Sequence, residues 1–325
     1  MQQLAHLQQD AGRHGRERRR DNRRGQNHRG GRSADFRPGA RGRERQAHLR
    51  RIEPVHSLQL LEAGTDFLTE YLFGDSDLAG HRLKILAEVY ADSTKAFVIG
   101  HVRRKPRLFF DVGCGPGYTT HLIANVLGCE QAVGLDNSEH FISLAQKSAT
   151  DSVSFQLHDV TKIPFPAGPA DLLFCRFLMT HLLDPQAALS RWATQVVPKG
   201  LLLIEEVETI MTANPIFTEY LQIVDAMLKA QNRMLYIGPS LDSIHPPGSL
   251  KKVRSTLNQL VVPTHQAALM FYLNIQTWKR QPFVRTNYYS SSIENLEKAM
   301  GILSAAKKDE IEIQWTLRQM VFESR

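Results

Sequence analysis

LFFDVGCGPGYTT, residues 108–120, decides how this chain is read. A short apolar run ends in Gly113, Gly115 and Gly117, and a helical pattern starts near Tyr118. Glycine permits a tight turn and a positive φ, and lets backbone come close to a ligand. The helix start beyond it presents unpaired N–H groups and a partly positive end, suited to a carboxylate or phosphate. By itself the triplet marks a ligand-cradling turn, and an ordinary βα turn has the same look. A dinucleotide site calls for G-x-G-x-x-G, whose last glycine allows close helix packing. Here that sixth position is Tyr118, and Pro116 sits inside the loop. Both departures weigh against an NAD(P)- or flavin-dependent oxidoreductase.

Strand and helix patterns alternate on the C-terminal side. Strands are predicted over 107–112, 131–136, 152–158, 171–176 and 200–207, and helices over 118–127, 140–150 and 185–197. Repeated βαβ units with short connections imply an α/β fold with a mostly parallel sheet and helices on both faces. Upstream, 57–72 and 77–98 carry apolar residues at helical spacing, with Leu83, Leu86, Val89 and Tyr90 on one face and a turn at 73–76 between them. Downstream the pattern changes. Helices are expected over 213–233, 249–258, 265–280 and 292–307, a loop over 236–248, a short strand over 259–263 and a closing strand over 311–322. The expected organisation is an extension over 1–54, a helical cap over 55–104 and the main domain over 105–325. Within it, 208–308 mixes the last elements of the fold with a lid over the carboxyl ends of the strands, where ligands bind in such folds.

Three acids fall at three successive strand ends. Asp111 precedes the glycine loop, where a carboxylate can accept hydrogen bonds from an ammonium group. Asp136 ends the second strand about twenty residues past the loop, where an acid receives two ribose hydroxyls. Asp159 ends the third, and with the backbone N–H of Val160 it is placed to read an adenine edge. Singly, each has the ordinary reading of a turn residue or N-cap. Together with the loop they point to a nucleoside.

At these residues a family resemblance emerges. LFFDVGCGPGYTT, AVGLDNSEH and LHDVTKIPF resemble motif I, the acidic strand-two motif and the adenine motif of class I S-adenosylmethionine (SAM)-dependent methyltransferases, Rossmann-like enzymes whose last strand is antiparallel. The likeness covers about 105–207 well and the tail loosely. FCRFLMTHLLDP resembles small-molecule enzymes such as ubiquinone/menaquinone and trans-aconitate methyltransferases. The resemblance implies SAM as cofactor, with Gly113, Cys114, Gly115 and Gly117 under its methionine, Asp136 on the ribose, and Asp159, Asn137 and Val160 at the adenine. YLFGDS resembles a cap in bacterial relatives, which would put Tyr71 over SAM.

Methyl transfer needs alignment of nucleophile and methyl carbon, and a base when the nucleophile carries a proton. The candidates follow strands four and five: Arg176, His181, Glu205 and Glu206. His181 is the choice for a base, since its ordinary pKa is near 6.5, against a packing role of equal standing. Arg176 is a candidate for an acidic substrate or the SAM carboxylate, or a structural ion-pair partner. Glu205 and Glu206 alternate on a strand, so one faces the site and the other packs elsewhere. His245, His265, Tyr288 and Tyr289 are further candidates in the lid region.

The chain lacks an Asn/Asp-Pro-Pro-aromatic motif after strand four, and no Pro-Cys or Thr-Cys pair offers a cytosine nucleophile. The net charge of +7 is uneven: residues 1–52 hold fifteen arginines, five acids and no lysine, so the rest is slightly acidic. A small or medium organic substrate is therefore expected and nucleic acid is not. A nucleic-acid methyltransferase recruited by the basic arm is the alternative, and a catalytically dead SAM-binding regulator is a third reading. Residues 1–52 have almost no large apolar side chains and predict no core of their own. A phosphate-binding arm, a transit peptide and a non-native start compete there, and the last is favoured because the next methionine is Met179. Cys114, Cys129 and Cys175 form no CxxC pair, so no metal site is expected. No apolar run approaches the roughly 18 residues of a membrane span, and the expected setting is cytoplasmic. Oligomeric state is left open.

Overall fold

A computed structural model describes residues 73–306 and 313–325. The helix expected over 57–72, Tyr71 and the basic arm lie outside the described residues.

Seven strands form one sheet in the order β3-β2-β1-β4-β5-β7-β6. Strands β1 (Leu108–Val112), β2 (Gln131–Asp136), β3 (Val153–Leu157), β4 (Ala170–Arg176) and β5 (Val196–Thr212) are parallel neighbours. β7 (Ile313–Ser324) runs antiparallel between β5 and β6 (Leu250–Val262). The expected α/β sheet with an antiparallel final strand is what the chain forms.

Period-two alternation along the strands divides the core. Phe109, Leu172, Phe174 and Leu203 pack on one face against α2 (Ala91–His101), α3 (Tyr118–Leu127) and α4 (Glu139–Gln146). Their neighbours Phe110, Leu173, Cys175 and Leu202 pack on the other against α5 (Pro185–Trp192) and the short α7 (Gly238–Asp242). A third apolar cluster joins α6 (Pro215–Ala230), α8 (Thr264–Trp278) and α10 (Ser290–Ser304) to Trp315 and Leu317 of β7. It also takes in Ile85 and Tyr90 of the cap. Side-chain oxygens of Ser138, Asp184 and Asn214 cap α4, α5 and α6, each accepting backbone N–H groups of the first turn. No helix among the described residues is long and apolar enough to cross a membrane.

Three expectations are corrected. The helix expected over 249–258 and the strand over 259–263 are one strand, β6, in which every residue but Val253 pairs with β7. The helix expected over 77–98 breaks at Tyr90, giving α1 (Asp77–Val89) and α2, because Tyr90 leaves helical geometry (ψ 2°) with its ring buried against Phe177 and Trp315. The loop expected over 236–248 contains α7. A further helix, α9 (Pro282–Asn287), starts at a proline suited to a first helical turn.

Candidate active site

The turn after β1 is held from beneath, where Gly113 and Cys114 donate their N–H groups to the Leu135 carbonyl at 2.8 and 3.0 Å. Gly113, Gly115 and Gly117 have φ of 72°, 53° and 85°, the left-handed region that costs L side chains about 1–2 kcal/mol. Their surroundings differ. A Cβ on Gly113 would meet the Leu178 side chain at 2.9 Å, and one on Gly115 would meet Leu83 at 3.4 Å. One on Gly117 would lie 2.5 Å from the Phe155 ring. The close packing that a dinucleotide fold assigns to its sixth position is supplied here one residue earlier, by Gly117. Tyr118 is left 39% exposed.

A cavity of about 580 Å³ opens above this turn, at the carboxyl ends of the parallel strands. Its polar half contains Gly113, Cys114, Gly115, Asp136, Asn137 and Asp159, with Val160 and Arg176. Asp136 accepts the Gly115 N–H at 2.9 Å and the Ser138 N–H at 2.9 Å. Burial raises its pKa, and those hydrogen bonds oppose the rise. Asp159 is half-buried and accepts from Thr161 N–H and Oγ1; these bonds and Lys162 outweigh burial and lower its pKa. Asp111 and Gly117 are not among the residues lining the cavity. The Asp111 carboxylate is buried, accepts the Thr120 hydroxyl at 2.7 Å, and is pushed by burial up to about 6. The sequence brought these residues to the right turn but did not tell which face the ligand and which the core.

Arg176 ends β4 and donates to Thr94 Oγ1 at 2.9 Å and Thr119 Oγ1 at 2.6 Å, so cap helix α2 and helix α3 aim it together. Phe177 follows with φ 54°, which turns the chain into a short 3-10 turn, Met179–His181. The two glutamates of β5 separate as period two requires. Glu205 is fully buried and accepts from Ser93, Thr94 and Gln319 at 2.8, 2.6 and 2.7 Å. Glu206 lines the cavity, and its Oε1 accepts the N–H groups of Leu178 and Met179, both at 2.7 Å. His181 also lines the cavity, edge-on to Phe73. Burial, reinforced by Arg233 and Arg82, lowers its pKa to about 3. The imidazole is neutral at physiological pH and a poor proton acceptor.

The other half of the cavity is apolar, walled by Leu221, Val224 and Leu228 of α6, Met270 and Phe271 of α8, and Trp315 of β7. His245, His265, Tyr288 and Tyr289 do not line it. Sequence reasoning missed Arg82, Arg233 and Asn274. Arg82 interrupts the apolar face of α1, a legible signal; Asn274 in the middle of α8 is another. Asn274 donates to Tyr220 Oη at 2.7 Å. No cluster of His, Cys, Asp or Glu among the described residues is arranged to hold a metal.

Residues 110–204 match the family described as methyltransferase domain. Enzymes of that family take their methyl group from S-adenosylmethionine. An uncharacterized methyltransferase of Schizosaccharomyces pombe is 26% identical over 163 residues, 46% of this chain and 57% of that protein. The trans-aconitate 2-methyltransferase of Variovorax paradoxus is 32% identical over 96 residues, 29% of this chain and 36% of the relative. Among solved structures, phosphoethanolamine N-methyltransferase 2 of Haemonchus contortus, in complex with phosphomonomethylethanolamine and S-adenosylhomocysteine, is 16% identical. It covers 74% of this chain and 52% of its own, with a TM-score of 0.42. The chain spans little more than half, or less, of the length of the first curated relatives it matches.

The residues present fit that cofactor. Gly113 and Gly115 leave a cradle that side chains would fill, and Asp136 is fixed by two backbone N–H groups beside it.

Proposed function

We propose that this protein transfers a methyl group from S-adenosylmethionine to a small or medium organic molecule with an apolar body. The observation that carries the reading is the two-part cavity: a glycine turn and strand-end acids on one side, an apolar wall from α6, α8 and β7 on the other. Gly113, Cys114 and Gly115 would carry the methionine part, Asp136 the ribose, and Asn137, Asp159 and Val160 the adenine. Arg176 would face the carboxylate. Gly117 and Asp111 act from beneath, by packing α3 onto Phe155 and by bonding Thr120. When bound, the cofactor supplies an activated methyl on a sulfonium. The chain's own part is to orient donor and acceptor and to keep water out. Helices α6 and α8 serve as the lid, and Phe73–Asp75 and Tyr71 as part of the cap. The compartment is the cytoplasm, and nucleic acid is not a substrate.

Calorimetry tests the cofactor. S-adenosylmethionine and its demethylated product are expected to bind, and NAD is not. Gly115→Asp, which puts a carboxylate into the turn at a φ of 53°, is expected to abolish binding; wild-type affinity in that variant refutes the site. Transfer of labelled methyl to quinols, phenols, carboxylic acids and lipids identifies the acceptor. Removal of residues 1–52 is expected to leave cofactor affinity and RNA binding unchanged, which sets aside recruitment by the basic arm.

A further inference from the structure

Glu206 faces the cavity from the carboxyl ends of the parallel strands. It is one residue past the paired ends of β4 and β5, Arg176 opposite Glu205, and it lines the cavity. Its side chain is 1% exposed. Oε1 is occupied by the N–H groups of Leu178 and Met179. Oε2 is buried and has no hydrogen-bond partner among the described residues. A buried carboxyl oxygen without a partner is costly to keep, and a ligand group in the cavity would relieve that.

We propose, resting on the methyl-transfer reading above, that the acceptor carries a dissociable hydroxyl of phenol or enol type and that Glu206 Oε2 receives its proton. As the hydroxyl oxygen bonds to the methyl carbon, the carbon–sulfur bond breaks with its electron pair going to sulfur. The O–H proton passes to Oε2 and leaves later to solvent. The charges around the cavity favour this acceptor over an ammonium. Arg82, Arg176 and Arg233 line it and favour a nucleophile that turns anionic, while the lining acids other than Glu206, namely Asp75, Asp136 and Asp159, lie on the side of the glycine turn.

The groups acting on Glu206 are known on each side. Burial pushes its carboxyl up to about 8; the Leu178 and Met179 N–H groups and Arg176 pull it down, and Glu205 pushes it up. Cys175, its neighbour on β4, is itself driven up by burial and stays a neutral thiol. His181 across the turn is neutral. A carboxyl with a pKa near working pH is suited to taking a proton.

Glu206→Gln separates this role from a merely structural one, because an amide oxygen still accepts both N–H groups yet takes no proton. The probes are para-substituted phenols running from phenol to para-nitrophenol. In the wild type, transfer to phenol is expected to rise with pH to a plateau above about 8. Glu206→Gln is expected to bind S-adenosylhomocysteine as the wild type does, to lose about 100-fold or more in kcat on phenol, and to lose that pH limb. The deficit is expected to shrink on para-nitrophenol, which is already largely ionised. A difference infrared spectrum of wild type minus variant is expected to show a protonated-carboxyl band that fades as pH passes 8, with no acceptor present. Wild-type transfer by Glu206→Gln, or an equal loss on every phenol, overturns the assignment. Cofactor binding without transfer to any phenol by the wild type also overturns it, and leaves the methyl-donor reading standing. Absence of cofactor binding overturns that reading instead.

Discussion

Gly117→Ala isolates the packing beneath the glycine turn. Two costs add at this position. The backbone is at φ 85°, which an L residue occupies at about 1–2 kcal/mol. The new Cβ would also lie 2.5 Å from Cε1 and Cζ of Phe155 and 3.3 Å from Ala145 Cβ. Phe155 is 4% exposed on β3, so its ring has little room to retreat, and overpacking of this kind costs about 1–3 kcal/mol. The expected loss is about 2–5 kcal/mol, with weaker cofactor binding because α3 is pushed off the sheet. Gly128→Ala is the control. Its φ is 61°, with no heavy atom within 4 Å of the added Cβ, so only the backbone cost remains, about 1 kcal/mol after the entropy that alanine removes from the unfolded chain. Urea unfolding followed by circular dichroism reads both. Phe155→Leu removes the two ring atoms in question, so the double variant with Gly117→Ala is expected to show a favourable coupling of about 1 kcal/mol or more. Equal losses in the two alanine variants, or no coupling with Phe155→Leu, would rule out a clash with the Phe155 ring.

Two other predictions concern buried charge. Burial beside Arg82 and Arg233 lowers the His181 pKa from 6.5 to about 3, so the unfolded chain binds the extra proton between those values. Stability is therefore expected to rise with pH across that window and to fall as acid is added, by up to about 5 kcal/mol from this residue. His181→Gln is expected to flatten that limb in melting curves taken from pH 7 to 4; an unchanged slope refutes it. Glu205→Ala strands the Ser93, Thr94 and Gln319 donors and removes the carboxylate beside Arg176. Its expected cost is about 3–5 kcal/mol, with faster amide exchange in α2. Stability within 1 kcal/mol of wild type would show that the cap is held by packing alone.

The parallel half of the sheet was legible because its strands are short apolar runs separated by turn residues, and each connection is short. β6 was not. Lys251, Lys252, Arg254, Asn258 and Gln259 put polar side chains along an edge strand with much of its length half-buried or exposed, so the alternation of a half-buried strand is blurred and the run passes for a polar helix. The break at Tyr90 has no glycine or proline to announce it; tertiary contacts with Phe177 and Trp315 decide it. In the site, motif spacing located Gly113, Gly115, Asp136 and Asp159. It did not separate Glu205 from Glu206, because the face each takes depends on partners far off in sequence, Ser93 and Gln319 for one and the 178–179 turn for the other. The same holds for His181, whose ordinary pKa says nothing about arginines folded in from α1 and from the segment after α6.

The place of β7 between β5 and β6 constrains the order in which the molecule can assemble. Among the described residues β6 pairs with β7 and with no other strand, so it is finished more than fifty residues before the strand it needs is made. Until then both its edges are open, and the parallel half can close on its own ladders without it. Its first half is protected by Lys251, Lys252, Arg254 and an irregularity in the register at Val253, devices that discourage pairing with foreign strands. Its second half has no such charges, and Leu257 and Val261 stay more than half exposed even in the finished sheet. A nascent chain stalled before residue 313 thus carries one orphan strand with an apolar, unguarded end, which makes this segment the natural seat of misassembly during synthesis.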